Sequence, residues 1–239
     1  MDDPGLVLLG ERMKPRTLVN VGGTLLIAGS FWGLLFAPAE VFMGEVYRIF
    51  YIHVPTAWNG LLLLTAAFVC AVMYLLKGDL LWDDRLEASM EAGVVLSALL
   101  TIQGSIWARP TWGVWWNWDP RLTTTAILVF AFAGILALRQ SLKEPRRRAM
   151  VSAVATIVAA ADVPLVYFSV RFWNSLHQIQ SSPATVSAAF VWPLRVNAIA
   201  VLLLMAGLIQ MRAETIARLR EAGSAPPPID VPETEGAAR

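Results

Sequence analysis

The sequence predicts an all-α integral membrane protein, a bundle of about six transmembrane helices. Three observations lead there. Of 239 residues, 56% are hydrophobic and only 15% charged, with a mean hydropathy of +0.57. That composition is too apolar for a soluble domain. Apolar stretches close to the ~20 residues of helix that a bilayer core requires recur along the chain. The connections between them are short and no internal repeat is evident. One membrane domain over residues 18–211 is therefore expected, between an N-terminal segment 1–17 and a C-terminal tail 212–239.

The first apolar stretch, Leu18–Phe36, follows a segment in which Asp2, Asp3 and Glu11 mix with basic residues. It is long and lacks a small-residue cleavage pattern, so it reads as a retained helix and not a signal peptide. The second, Pro55–Leu76, contains the only cysteine, Cys70. A single cysteine excludes an internal disulfide and a C-x-x-C-H attachment site, which leaves Cys70 as a small buried hydrophobe. The third, Ala88–Ala108, carries Glu91 near its start. The fourth, Pro120–Leu138, opens on Asp119-Pro120. Proline suits the first position of a helix, and the aspartate before it suits the N-cap. The fifth, Ala149–Val170, contains Asp162 and Pro164. The proline is expected to kink the helix. The aspartate needs a partner or water at that depth, for which Arg195 and Asn197 of the sixth stretch, Phe190–Met211, are candidates. Beyond Gly223 the run Pro226-Pro227-Pro228 and the scarcity of large apolar residues read as a disordered tail.

Orientation follows from lysine and arginine in the connections. With six spans, Arg12, Lys14, Arg16, Lys77, Arg85, Arg139, Lys143, Arg146, Arg147, Arg148, Arg212, Arg218 and Arg220 all fall on one side. Arg48, Arg109, Arg121, Arg171 and Arg195 fall on the other. The crowded side is expected to be cytoplasmic, with both termini. The net charge of +1 gives no basic field for nucleic acid.

The outer side then holds the most unusual stretch, Trp112-Gly113-Val114-Trp115-Trp116-Asn117-Trp118-Asp119-Pro120-Arg121-Leu122-Thr123. If it is helical, Trp112, Trp115 and Trp116 share one face. Two readings stand side by side. Tryptophan anchors proteins at the membrane–water interface, and an aromatic wall also suits a flat, largely apolar ligand. The only two histidines, His53 and His177, map to the same side.

The run Trp-Gly-x-Trp-Trp-x-Trp-Asp-x-Arg-Leu-Thr resembles the tryptophan-rich (WWD) signature of heme-handling membrane proteins, and within them the heme exporter/delivery family CcmC of cytochrome c maturation system I. The stretches Tyr47–Pro55 and Phe172–Gln178 match the same family, and the resemblance covers the chain from about Val19 to Met211. It implies that heme b is bound at the periplasmic face of the bacterial inner membrane. It implies His53 and His177 as axial ligands, and Trp112, Gly113, Trp115, Trp116, Trp118 and Asp119 as the heme-binding loop. Neutral imidazole is a good donor to iron, and heme propionates call for cations. Arg121, inside the signature, is the first candidate, followed by Arg48 and Arg171. Arg109, before Pro110, reads as a helix terminator.

The resemblance further implies partners: the periplasmic heme chaperone CcmE, which receives heme, the ABC transporter subunits CcmA and CcmB, and the small membrane subunit CcmD. No G-x-x-x-x-G-K-[ST] occurs here, so ATP binding would belong to another chain. The role implied is holding and presenting a cofactor, not enzymatic turnover. Two other classes use the same features differently. A b-type membrane cytochrome would keep its heme and carry electrons. A structural subunit would use the tryptophans as anchors. The larger cytochrome c synthases of system II share the signature but have more helices and more histidines than this chain.

Overall fold

The computed structural model describes residues 13–177 and 186–224, and within them the protein is helical. Helix α1 (Pro15–Phe31) runs on into a π-helical turn, Trp32–Phe36. A 3-10 turn, Glu45–Ile49, leads into α2 (Phe50–Lys77). Then follow α3 (Leu80–Trp112), α4 (Pro120–Ser141), α5 (Pro145–Ala160), α6 (Asp162–Phe172) and α7 (Ala188–Ser224). Because α5 and α6 form one span, six helical segments are long and apolar enough to cross a membrane, with mean hydropathies of 1.3 to 2.1. The protein is a multi-pass membrane protein of the expected class.

The element boundaries follow local chemistry. Gly78 ends α2 with a positive φ of 67°, and its N–H caps the helix on the Tyr74 carbonyl at 2.8 Å. Asp79 at once caps α3 by accepting the Leu81 N–H at 2.9 Å. Asp119 caps α4, as its sequence context predicted, accepting the Arg121 N–H at 2.9 Å with Pro120 in the first helical position. The expected kink at Pro164 appears as a one-residue interruption of the span at Ala161. Helix α5 stops at Ala160 and α6 starts at Asp162, because Pro164 has no N–H for the Ala160 carbonyl and its ring crowds that oxygen.

Three boundaries differ from the sequence reading. The second helix begins at Phe50, so His53 lies in its first turn instead of ahead of it. The third begins at Leu80 and takes in Asp83, Asp84 and Glu87. The last continues past Met211 to Ser224, and the tail expected beyond it lies outside the described residues.

Those added acidic residues find the arginines counted as loop charges. Arg139, buried in the last turns of α4, makes a two-pronged pair with Asp83 at 2.7 and 3.0 Å and meets Glu87 at 2.5 Å. Arg220 reaches Asp84 at 2.5 Å, and Arg212 holds Glu91 at 2.6 and 2.7 Å. Four ion pairs thus tie α4 and α7 to the stretch Asp83–Glu91 near the start of α3, at the end of the bundle remote from the tryptophan loop. The main apolar core lies beside them, where Leu64, Ala67 and Ala71 of α2 meet Leu86, Met90, Leu128, Phe132 and Ala149. Cys70 is buried in it.

Helices α1 and α7 pack antiparallel at close range. A Cβ at Gly22 would stand 2.5 Å from the Leu204 amide nitrogen, so only glycine permits that approach. Asn197 of α7 does not pair with Asp162. Its amide donates instead to the Tyr51 carbonyl at 2.8 Å, the oxygen that Pro55, four residues on, cannot serve. Asn59 adds bonds to the Pro55 and Ala198 carbonyls at 2.9 and 3.2 Å. Arg195 lies 5.4 Å from the Trp192 ring centre, so neither proposed partner reaches Asp162.

Breaking the Arg139 pair leaves Asp83, 1% exposed, without its cation. Arg139→Ala is expected to destabilise the fold by about 3 kcal/mol or more, measured as a lower unfolding temperature in detergent, whereas an unchanged temperature would show that the pair contributes nothing.

Candidate functional site

At the end of the bundle opposite the ion pairs, α2, α3, α4 and α6 surround a cavity of ≈ 190 Å³. His53 and His177 both line it, with Trp107, Trp112, Trp116 and Arg121. His53 comes from the first turn of α2, and its ring meets Trp107 edge-on at 5.4 Å. The space for it is made by Gly104, where a Cβ would come within 3.3 Å of the imidazole Cε1. His177 follows α6 and meets Trp112 edge-on at 5.1 Å. The Nδ1 atoms of both histidines are buried and lack a hydrogen-bond partner among the described residues. Buried ring nitrogens without a hydrogen bond are uncommon in a folded chain.

Asp119 places His177. Its carboxylate accepts the Ser175 hydroxyl at 3.1 Å and the Leu176 N–H at 2.7 Å while it caps α4. The His177 N–H in turn donates to the Ser175 oxygen at 3.1 Å. The His177 Nδ1 stands 3.6 Å from the same carboxylate, beyond hydrogen-bond length but within ionic reach. A carboxylate on one ring nitrogen directs the other nitrogen outward as a donor.

These groups have matched electrostatics. Burial, then the Arg121 charge, pulls the His177 pKa down to about 4, and the facing Asp119 only partly opposes them. Burial pushes Asp119 up, but the bonds from Leu176, Ser175 and Arg121 more than offset it, so its carboxyl sits below the usual range. At neutral pH the site therefore presents neutral imidazole beside a carboxylate, the state in which histidine can coordinate a metal.

The tryptophan stretch does not form one helical face. Gly113, at φ 78°, ends α3 in the left-handed region, and its N–H caps the Arg109 carbonyl at 3.1 Å. The Arg109 side chain bonds the Gly113 carbonyl, in keeping with a terminator role. After this turn the chain is irregular to Asp119. Trp112 and Trp116 face the cavity, whereas Trp115 and Trp118 are 60% and 77% exposed and stand outside it. Trp118 packs edge-on against Trp116 at 5.8 Å.

Of the three arginines, only Arg121 lines the cavity. Arg48 is held by Glu45 and by the Gly33 and Ala37 carbonyls at 3.1 and 2.9 Å, where it ties α2 to the end of α1. Arg171 is exposed, 5.8 Å from the Phe168 ring centre. Sequence reading missed Trp107, Gly104, Trp58 and Tyr167. The first two lie on one stripe of α3 with Leu100, Thr101, Ala108 and Thr111, and that i, i+3, i+4, i+7 spacing was the available signal.

The fold and site together define a class, a multi-pass membrane protein that brings two histidines and an aromatic wall to one cavity near one end of its bundle. A family model described as heme exporter protein C matches residues 5–225. Heme exporter protein C of Escherichia coli K12 is 33% identical over 202 residues, covering 82% of this chain and 81% of that protein. Its namesake in Bradyrhizobium diazoefficiens is 35% identical over 206 residues, covering 81% and 76%. A putative cytochrome c biosynthesis ccmC-like mitochondrial protein of Marchantia polymorpha is 34% identical over 145 residues, 61% of each chain. The chain belongs to the heme exporter protein C family.

The His177 environment makes a direct prediction. A folded pKa below the ordinary 6.5 means that the fold favours neutral imidazole. The stabilisation is fully present above about pH 6.5 and is lost as pH falls towards about 4. In an NMR titration of the ligand-free protein, with His53→Ala used for assignment, His177 is expected to titrate near 4. A midpoint near 6.5 would contradict the buried, Arg121-facing geometry.

Proposed function

We propose that the protein binds heme b at the periplasmic face of the bacterial inner membrane and presents it to the periplasmic chaperone CcmE for cytochrome c maturation. The observation that carries this reading is the convergence of His53 and His177, from distant parts of the chain, on one tryptophan-walled cavity, with both Nδ1 atoms buried and without a hydrogen-bond partner among the described residues. The donor set suits heme. Imidazoles coordinate iron, Trp112 and Trp116 offer apolar faces to a porphyrin, and Arg121 offers a cation to a propionate. Iron supplies the coordination chemistry. The chain's own residues bind, orient and shield it.

The family membership supports heme as the cargo and a place within the Ccm transporter complex. On that basis CcmA, CcmB and CcmD are the membrane partners, and ATP hydrolysis belongs to another subunit. The crowding of lysine and arginine at the ion-paired end supports a cytoplasmic location for that end and both termini. The protein holds and hands over heme without turning over a substrate.

Absorption spectra of detergent-purified wild type, His53→Ala and His177→Ala test the reading. Each substitution is expected to change the heme spectrum and to abolish transfer to CcmE, because alanine offers no donor to iron. Added imidazole should partly restore the wild-type spectrum. A histidine whose alanine variant keeps both the spectrum and full transfer is not a ligand.

A further inference from the structure

We propose that the seam between α2 and α6 is a side portal through which a planar amphiphile passes between the bilayer and the histidine cavity. This rests on the proposed heme-binding function and assigns the route to the site. Four helices wall the cavity, in the order α2, α3, α4, α6. Three neighbouring pairs pack against one another, α2 on α3, α3 on α4 and α4 on α6, but α2 makes little contact with α6. The cause is the break at Ala161. Below it α5 packs closely on α2. Above it the same span, now α6, makes little contact with α2.

Side chains mark the opening. Trp58 of α2 and Tyr167 of α6 both line the cavity from either side of this seam, and they stay 37% and 42% exposed. Large side chains that line a cavity and yet stay this exposed mark the place where its wall is thinnest. The lining also runs deep. On α2 it extends from His53 to Leu61, two turns or ~12 Å along the helix, and on α3 from Trp112 to Leu100. The deep part is built from Leu61, Leu100, Thr101, Thr125 and Val166, and none of these is charged. An apolar slot that reaches into the span and opens sideways receives a ligand already dissolved in lipid. The histidines and Arg121 lie towards the outer end, so a molecule entering with its apolar edge first keeps its charged groups near the interface.

The test bridges the seam reversibly. Trp58→Cys with Tyr167→Cys, reconstituted in vesicles, is joined by a thiol-specific bifunctional reagent that dithiothreitol cleaves. Cys70 is buried in the core and serves as the unreactive background. Heme is supplied from donor vesicles and uptake is followed by absorbance. The bridge is expected to slow uptake at least tenfold, with recovery after cleavage. Heme loaded before bridging should keep an unchanged spectrum. Uptake by the bridged protein at the unbridged rate overturns the portal, and so does a bridge that alters the spectrum of pre-loaded heme. If neither form takes up heme, the heme-binding reading fails and the portal with it. Should the double variant not insert, Tyr167→Cys carrying a bulky reducible adduct applies the same plug, with the same outcomes.

Discussion

The site depends on what one carboxylate holds. Asp119 caps α4, accepts the Ser175 hydroxyl and the Leu176 N–H, and faces the His177 ring. Apart from the edge-on contact of His177 with Trp112, its bonds are what tie the segment after α6 to the end of the tryptophan loop. Buried charge is costly unless it is fully hydrogen-bonded, and here three donors satisfy it. The same three bonds fix where His177 emerges. A helix cap, usually a local device, joins two parts of the chain more than fifty residues apart.

The rest of the bundle supplies a frame for that junction. At the far end the pairs of Arg139, Arg212 and Arg220 with acidic residues of α3 lock α3, α4 and α7 together. Near the site, Asn197 bonds the Tyr51 carbonyl left open by Pro55, fixing the start of α2 and with it His53. A Cβ at Gly29 would stand 2.2 Å from the Asn197 side-chain oxygen, so α1 must present glycine there. His53 therefore sits on a well-braced helix, whereas His177 sits on an irregular segment held by Asp119.

Much of this was legible in the sequence. Hydropathy located the six spans, Asp119-Pro120 marked the cap, and alternation of the spans put both histidines on the tryptophan side. What failed did so for identifiable reasons. The helical face expected for Trp112, Trp115 and Trp116 is broken by Gly113, which turns the chain so that Trp115 points away from the cavity. Arg48 looked like a free cation because position along the chain says nothing about the carbonyls that α1 brings to it. Arg139 was counted as a loop charge because its partners, Asp83 and Glu87, lie on another helix. Trp107 was overlooked because it falls outside the signature, although its spacing on α3 matched the lining stripe.

If Asp119 positions His177 as one of two axial donors, the electron paramagnetic resonance spectrum of Asp119→Ala loaded with ferric heme must differ from that of wild type. With both histidines bound, wild type should give a low-spin ferric signal. Asp119→Ala is expected to retain heme through His53 and to shift to a high-spin signal, with added imidazole restoring the low-spin form. A loaded Asp119→Ala protein whose low-spin signal matches wild type would contradict the account, because His177 would then reach iron without the carboxylate that holds it.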